Sequence, residues 1–228
     1  MNVNNVSVIQ STLARYNPSA FLLAAQLLSL VLYVALDGVP GGSLLLGIFG
    51  ILILLLVVLV VIRSPAISWI AWVIAVPVFV LTLFSWLYGN PALLVWAALL
   101  EGILYFYGAG GLIVYMLGDE RVTIDELFAV GATFTLLAWG FAYMYMVCQA
   151  WSPASFSGGT NPKEPLSFVE LLSLSFTNLS ATGLSDIVPV APASRVLVML
   201  EQFAGVGYIA VVVSRLIGLT LSQRGDRN

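Results

Sequence analysis

Residues 173 to 189 read Ser-Leu-Ser-Phe-Thr-Asn-Leu-Ser-Ala-Thr-Gly-Leu-Ser-Asp-Ile-Val-Pro. They lay out a short helix, a glycine turn at Gly183 and an acidic exit at Asp186, between two hydrophobic stretches. The chemistry on offer is that of hydroxyls, backbone carbonyls and one carboxylate. The chain has no histidine and a single cysteine, Cys148, so it holds no Cys/His constellation for zinc, no metal site and no nucleophile paired with a base. An enzyme is therefore not expected. Two further carboxylates, Glu101 and Glu201, stand inside apolar runs, where an ionisable group costs at least about 2.5 kcal/mol and raises a functional question by default.

The elements that must position these groups are membrane helices. Hydrophobic residues make up 61% of the 228 and charged residues 8%, with a mean hydropathy of +1.04. A soluble domain carries about 25% charge. The apolar runs are long enough for the roughly 20 residues that a spanning helix needs and lack the alternation of an outer-membrane barrel. Six spans are expected, about Phe21 to Leu36, Leu44 to Ile62, Ile67 to Tyr88, Leu93 to Leu117, Leu127 to Ala150 and Ala193 to Leu219. The first lacks the basic lead and cleavage site of a signal peptide and is expected to be retained. The piece Leu166 to Leu179 is too short to span and reads as re-entrant, which is tolerated only where protein or water shields the following loop.

Cytoplasmic N- and C-termini place Arg15, Arg63, Arg121, Arg215, Arg224 and Arg227 inside and Lys163 and Arg195 outside, as the positive-inside bias requires. That count independently demands an even number of spans and a re-entrant segment entered from outside. A multi-pass plasma-membrane protein is the expectation. The net charge of -3 forms no basic face, so partners are sought among lipids and copies of the chain, with no nucleic acid and no soluble substrate. The loop 151–165 is too rich in Pro, Gly and Ser for a helix and is expected to be an exposed turret.

Ala181-Thr182-Gly183-Leu184-Ser185-Asp186 resembles the pore loop of tetrameric potassium channels, whose filter reads Thr-Val-Gly-Tyr-Gly-Asp. Leu200-Glu201-Gln202, the glycines at 205 and 207, and Ser214-Arg215-Leu216 with Gly218 resemble the inner helix of bacterial members. Val122-Thr123-Ile124-Asp125-Glu126-Leu127 resembles the linker entering their outer helix. The likeness covers Val122 to Leu219 well; the first four spans match in number and position only. It implies an all-α integral membrane fold of six transmembrane helices plus a re-entrant pore helix and filter loop, assembled as a homotetramer. Residues 1–118 would form a four-helix peripheral part, voltage-sensor-like in position, and 119–228 the pore module.

A potassium filter aims carbonyls inward by alternating backbone handedness, for which glycine is the cheap residue. Gly183 keeps one such position. Ser185 stands where the second glycine would be, and holding it at positive φ is expected to cost on the order of 1 kcal/mol per chain. Ala181 lacks the threonine hydroxyl of the cavity end, Thr182 or Ser180 supplies the nearest one, and Leu184 lacks the bracing phenol of the family tyrosine. The filter Ser180 to Asp186 is thus expected to be relaxed, passing monovalent cations such as K+ or Na+ with reduced K+ selectivity and needing no cofactor. Asp186 either rings the outer mouth or hydrogen-bonds the back of its own loop.

The resemblance sets Glu201 behind the pore loop. Glu101 is either a protonated partner of Tyr105, Gln26 or Ser85, or a pH or gating element. Gly205 and Gly207 are hinge or close-packing positions. Arg215 either snorkels, pairs with Asp119, Glu120, Asp125 or Glu126, or serves a gate. Gly108, Gly110 and Gly111 are expected to form a packing face, and Glu170 to meet the pore-helix dipole. The fourth span carries no arginine, so voltage dependence is expected to be weak. A non-conducting scaffold or regulatory subunit on the channel fold is the alternative.

Overall fold

A backbone in hydrocarbon must satisfy its own N–H and C=O groups, so long Leu/Val/Ala/Ile runs without charge become helices. The computed structural model of this chain describes residues 18–36, 50–59, 68–118, 124–159 and 165–225. Its helices are α1 (Pro18–Ala35), α2 (Gly50–Leu59), α3 (Ser68–Tyr88), α4 (Pro91–Gly118), α5 (Ile124–Trp151), α6 (Phe168–Leu179) and α7 (Pro192–Gly225). The breaks expected at residues 37–42, 63–65 and 119–121, the turret tip at 160–164 and the basic residues other than Arg195 and Arg215 lie outside the described residues, or have side chains outside them.

Among the described residues, three helices are long and apolar enough to cross a membrane: Ala92–Gly118, Asp125–Trp151 and Pro192–Arg215. At 28 residues each, α4 and α5 are about 42 Å long, more than the roughly 30 Å of a hydrocarbon core. The apolar stretches Ser19–Tyr33, Gly50–Leu59, Trp69–Ser85 and Phe168–Leu179 are shorter. The helix α3 runs on through Pro77.

The hub is α5, which packs against α1, α4, α6 and α7, while α3 packs on the far side of α4. Small residues set the α4/α5 approach. A Cβ on Gly102 would strike Met144 and the Gly140 carbonyl, and one on Gly140 would meet the Phe106 ring. The expected glycine face of α4 is therefore corrected: Gly108 and Gly111 are buried, but Gly110 is exposed with open space around it.

Around α5 the core is continuous, running from Leu22 and Leu136 through Leu104 and Tyr105 to Tyr145, Leu171, Leu174 and Leu179. The last helix is the least covered of the three long ones, exposing Met199, Leu200, Phe203, Val206 and Ile217. The fold is all-helical, as expected, with one small addition in its loops. A two-stranded antiparallel pair, β1 (Phe156–Ser157) with β2 (Val188–Pro189), joins the loops before and after α6.

Candidate functional site

The short helix α6 is built to start and stop sharply. Ser167 caps its N-terminus in a capping box: the Ser167 hydroxyl accepts from the Glu170 N–H, and the Glu170 carboxylate accepts from the Ser167 N–H at 2.8 Å. Glu170 thus does more than meet the helix dipole. One residue earlier, the Gln149 side-chain amide pairs with the backbone of Leu166, accepting at 2.9 Å and donating at 3.0 Å. The end of α5 is so tied to the start of α6. Phe168 then enters an aromatic box of Tyr143, Tyr33 and Trp139, with ring centroids 4.8, 5.9 and 6.0 Å away.

Its C-terminus is closed by the very residues that resemble a filter. The Ala181 N–H donates to the Asn178 carbonyl and the Thr182 N–H to the Thr177 carbonyl, both at 3.0 Å, the two bonds of a Schellman motif with Ser180 as the cap. The position after the cap must be left-handed. Ala181 holds it at φ 57°, and Gly183 is left-handed again at φ 66°. The strain expected at Ser185 is therefore misplaced. It falls on Ala181, because a helix C-cap there outranks the spacing of the resembling filter. Ser185 is not left-handed, and its hydroxyl accepts from the Ile187 N–H at 3.1 Å.

An alanine in that region costs about 1 kcal/mol relative to glycine. Ala181→Gly is accordingly expected to stabilise each chain by about that amount, read as a higher unfolding midpoint of the purified protein. An unchanged midpoint would mean that Ala181 carries no strain.

The hydroxyls of the loop turn back on the helix. Ser180 donates to the Phe176 carbonyl at 2.7 Å and Thr182 to the Thr177 carbonyl at 3.2 Å, with the two oxygens 3.1 Å apart. Ala181 to Leu184 and Asp186 are exposed, Leu184 by 85%, and Ser185 is half-buried. Leu184 braces nothing among the described residues. The loop leaves the site along β2, where the Ser155 carbonyl accepts from the Val190 N–H at 2.8 Å, the Ala191 N–H at 3.3 Å and the Ser194 hydroxyl at 2.6 Å. Ser155 is fully buried and latches the loop, while Trp151, Pro153, Ala154, Ser157 and Gly158 around it are exposed, as expected of the turret.

Behind the loop lies Glu201, fully buried on α7. Its carboxylate accepts from Tyr145 of α5 and from Ser175 of α6. The Ser175 hydroxyl also lies 2.7 Å from the Ala138 carbonyl, and the Gln202 amide donates to Asn178 at 3.4 Å. Three helices therefore meet at one carboxylate, as the resemblance implied for Glu201. The partners Tyr145 and Ser175 were not legible, since nothing in their local sequence marks them.

The two glycines of α7 differ. A Cβ on Gly205 would collide with the Leu179 backbone carbonyl, the last residue of α6, whereas Gly207 has open space. Gly205 is thus a close-packing position between the inner helix and the end of α6. Further down, the Tyr208 hydroxyl donates to the Val130 carbonyl at 2.6 Å, and Arg215 pairs with the buried Glu126 at 3.3 Å. A cavity of about 260 Å³, lined by Met116, Val130, Tyr208 and Val212, lies between these two contacts. Of the acids proposed for Arg215, Asp125 instead accepts from Ser19 and Tyr115, and Asp119 and Glu120 lie outside the described residues.

Glu101 on α4 is hydrogen-bonded to Tyr143 of α5. The expected partners are engaged elsewhere or differently: Gln26 accepts from Thr135 at 2.8 Å, Ser85 donates to the Asn90 carbonyl at 2.9 Å, and Tyr105 stacks on Tyr143.

Residues 102–221 match the model of a protein family described as "Ion channel". No curated protein and no solved structure matches the chain.

Proposed function

Because the chain belongs to this ion channel family, we propose that it is a homotetrameric six-span channel that passes monovalent cations such as K+ or Na+ with reduced K+ selectivity. One chain supplies a quarter of the pathway, with Ser180 to Asp186 as its filter and α5 to α7, within 119–228, as the pore module. The observation that carries this reading is the pair of left-handed residues, Ala181 and Gly183, around Thr182 at the end of a helix too short to span. Alternating handedness lets successive carbonyls share one side. Four copies of the exposed Asp186 would add a cation-attracting ring at the outer mouth.

Reduced selectivity follows from the missing braces. Leu184 has no hydroxyl, and the hydroxyls of Ser180 and Thr182 hold the helix end rather than a rigid ring. The apolar face of α7 around Phe203 is the surface that neighbouring copies and lipid would cover. Gly205 anchors the inner helix, Gly207 gives it freedom, and Arg215 with Glu126 ties its cytoplasmic end to α5.

The test is the reversal potential of the purified protein in planar bilayers under a potassium/sodium bi-ionic gradient. A reversal near zero that disappears in Gly183→Asp is expected. A reversal far from zero would overturn the reduced selectivity, and silence would overturn conduction. Since α4 holds no Lys or Arg and each gating charge is worth about 2.3 kcal/mol per 100 mV, the current should vary only weakly with voltage in the same bilayers. The non-conducting scaffold is favoured by one observation, namely that the filter-like residues already serve as a helix cap.

A further inference from the structure

Glu101 is the one charged residue in α4. It stands in an aromatic cluster assembled from three helices: Tyr33 of α1, Tyr105 of α4, and Tyr143 with Trp139 of α5. These rings are not a dead end. Tyr33, Tyr143 and Trp139 are the same three that box Phe168, the first residue of α6. Phe168 follows the Ser167 cap, and α6 ends in the Ala181–Gly183 loop. One rigid short helix thus connects the box to the candidate filter.

From this juxtaposition we propose that Glu101 is a proton-binding site that sets the position of the pore helix through Tyr143 and Phe168, and so makes conduction depend on pH. The proposal rests on the channel reading for its output but not for its site. The ionised carboxylate accepts the Tyr143 hydroxyl as a charge-assisted bond, the stronger kind, and fixes the ring against Phe168. Proton uptake weakens that bond and loosens the box. The rings that face Glu101 are phenols, Tyr33, Tyr105 and Tyr143, and α3 carries Tyr88, exposed at its end. Asp125 and Glu126 stand in the first turn of α5, Cys148 is buried in its last part, and Glu201 meets α5 through Tyr145, so the variant at 101 is what separates its titration from theirs.

Cation flux into liposomes of the reconstituted full chain, measured from about pH 5 to pH 9, tests this. Flux is expected to fall about tenfold towards the acid side, a coupling of ordinary size. Glu101→Gln, neutral at every pH, should stay at the acid level throughout, and Tyr143→Phe should flatten the response. A wild-type response of opposite sign, or one that survives in Glu101→Gln, overturns the proposal. The site is also read without flux. A 4-fluorophenylalanine at position 168 should show a 19F shift that titrates together with a carboxyl infrared band, both absent in Glu101→Gln. If flux is absent at every pH while those signals titrate together, the channel reading fails and the proton site stands; if the band or the shift does not titrate, the site fails.

Discussion

Glu201→Leu is expected to destabilise the protein by on the order of 1–3 kcal/mol, because it leaves the buried Tyr145 hydroxyl without its carboxylate acceptor, while Ser175 keeps the Ala138 carbonyl at 2.7 Å. Leucine fills much the same volume, so the loss is one of hydrogen bonding rather than packing. The asymmetry of that cost gives the prediction its edge. Removing all three polar groups together, as Glu201→Leu with Tyr145→Phe and Ser175→Ala, should recover most of the stability, since apolar replacement of a whole network is far cheaper than orphaning part of it. Thermal unfolding of the parent and the two variants in one detergent reads this directly. A single variant as stable as the parent would mean that the carboxylate does not hold the Tyr145 hydroxyl. A triple variant no better than the single one would place the cost in packing.

Gly205→Ala should have the largest effect on conduction. Its new Cβ would overlap the Leu179 carbonyl, and a backbone atom cannot rotate away as a side-chain tip can. Either α7 backs off or the end of α6 moves, and overpacking of this kind costs about 1–3 kcal/mol. Leu179 immediately precedes the Ser180 cap, so any shift is passed to the Schellman turn and to Ala181 and Gly183. Gly207→Ala is the matched comparison. It meets nothing and gains up to about 1 kcal/mol of helix propensity. Liposome flux and melting temperature are therefore expected to separate the two substitutions, with loss of both at 205 and no loss at 207. Equal behaviour would mean that the α6/α7 approach at Gly205 is not as close as described.

How far the sequence carried the fold depended on the range of the interactions. The piece expected at Leu166 to Leu179 is the helix Phe168–Leu179, and the stretches expected at Leu127 to Ala150 and Leu93 to Leu117 lie within Ile124–Trp151 and Pro91–Gly118. Helix formation in an apolar run and termination at Gly, Pro or a capping serine are local rules, and local rules are legible. The handedness of the loop was not. Gly183 is left-handed as expected, but the partner position is Ala181, because the demand of α6 for a C-cap cannot be weighed against a resembling filter from residue types alone. The Tyr143 bond to Glu101, the Gln149 pairing with Leu166, the burial of Ser155 and the β1/β2 pair all join residues brought together by packing. No periodicity or spacing announces them.

The strand pair has a consequence for how this segment can vary. With Phe156–Ser157 hydrogen-bonded to Val188–Pro189 and the Ser155 carbonyl gathering Val190, Ala191 and Ser194, the helix α6 and its loop leave and rejoin the body of the protein through one cinched neck. Lengthening a loop inside such a closure costs only about 0.6 kcal/mol per doubling of its length. An insertion within the closed segment, outside α6, is thus cheap, while the neck keeps the spacing of the two flanking helices. Residues 155 to 190 form a cassette, tied off at its ends, in which the lip can be rewritten without moving the frame.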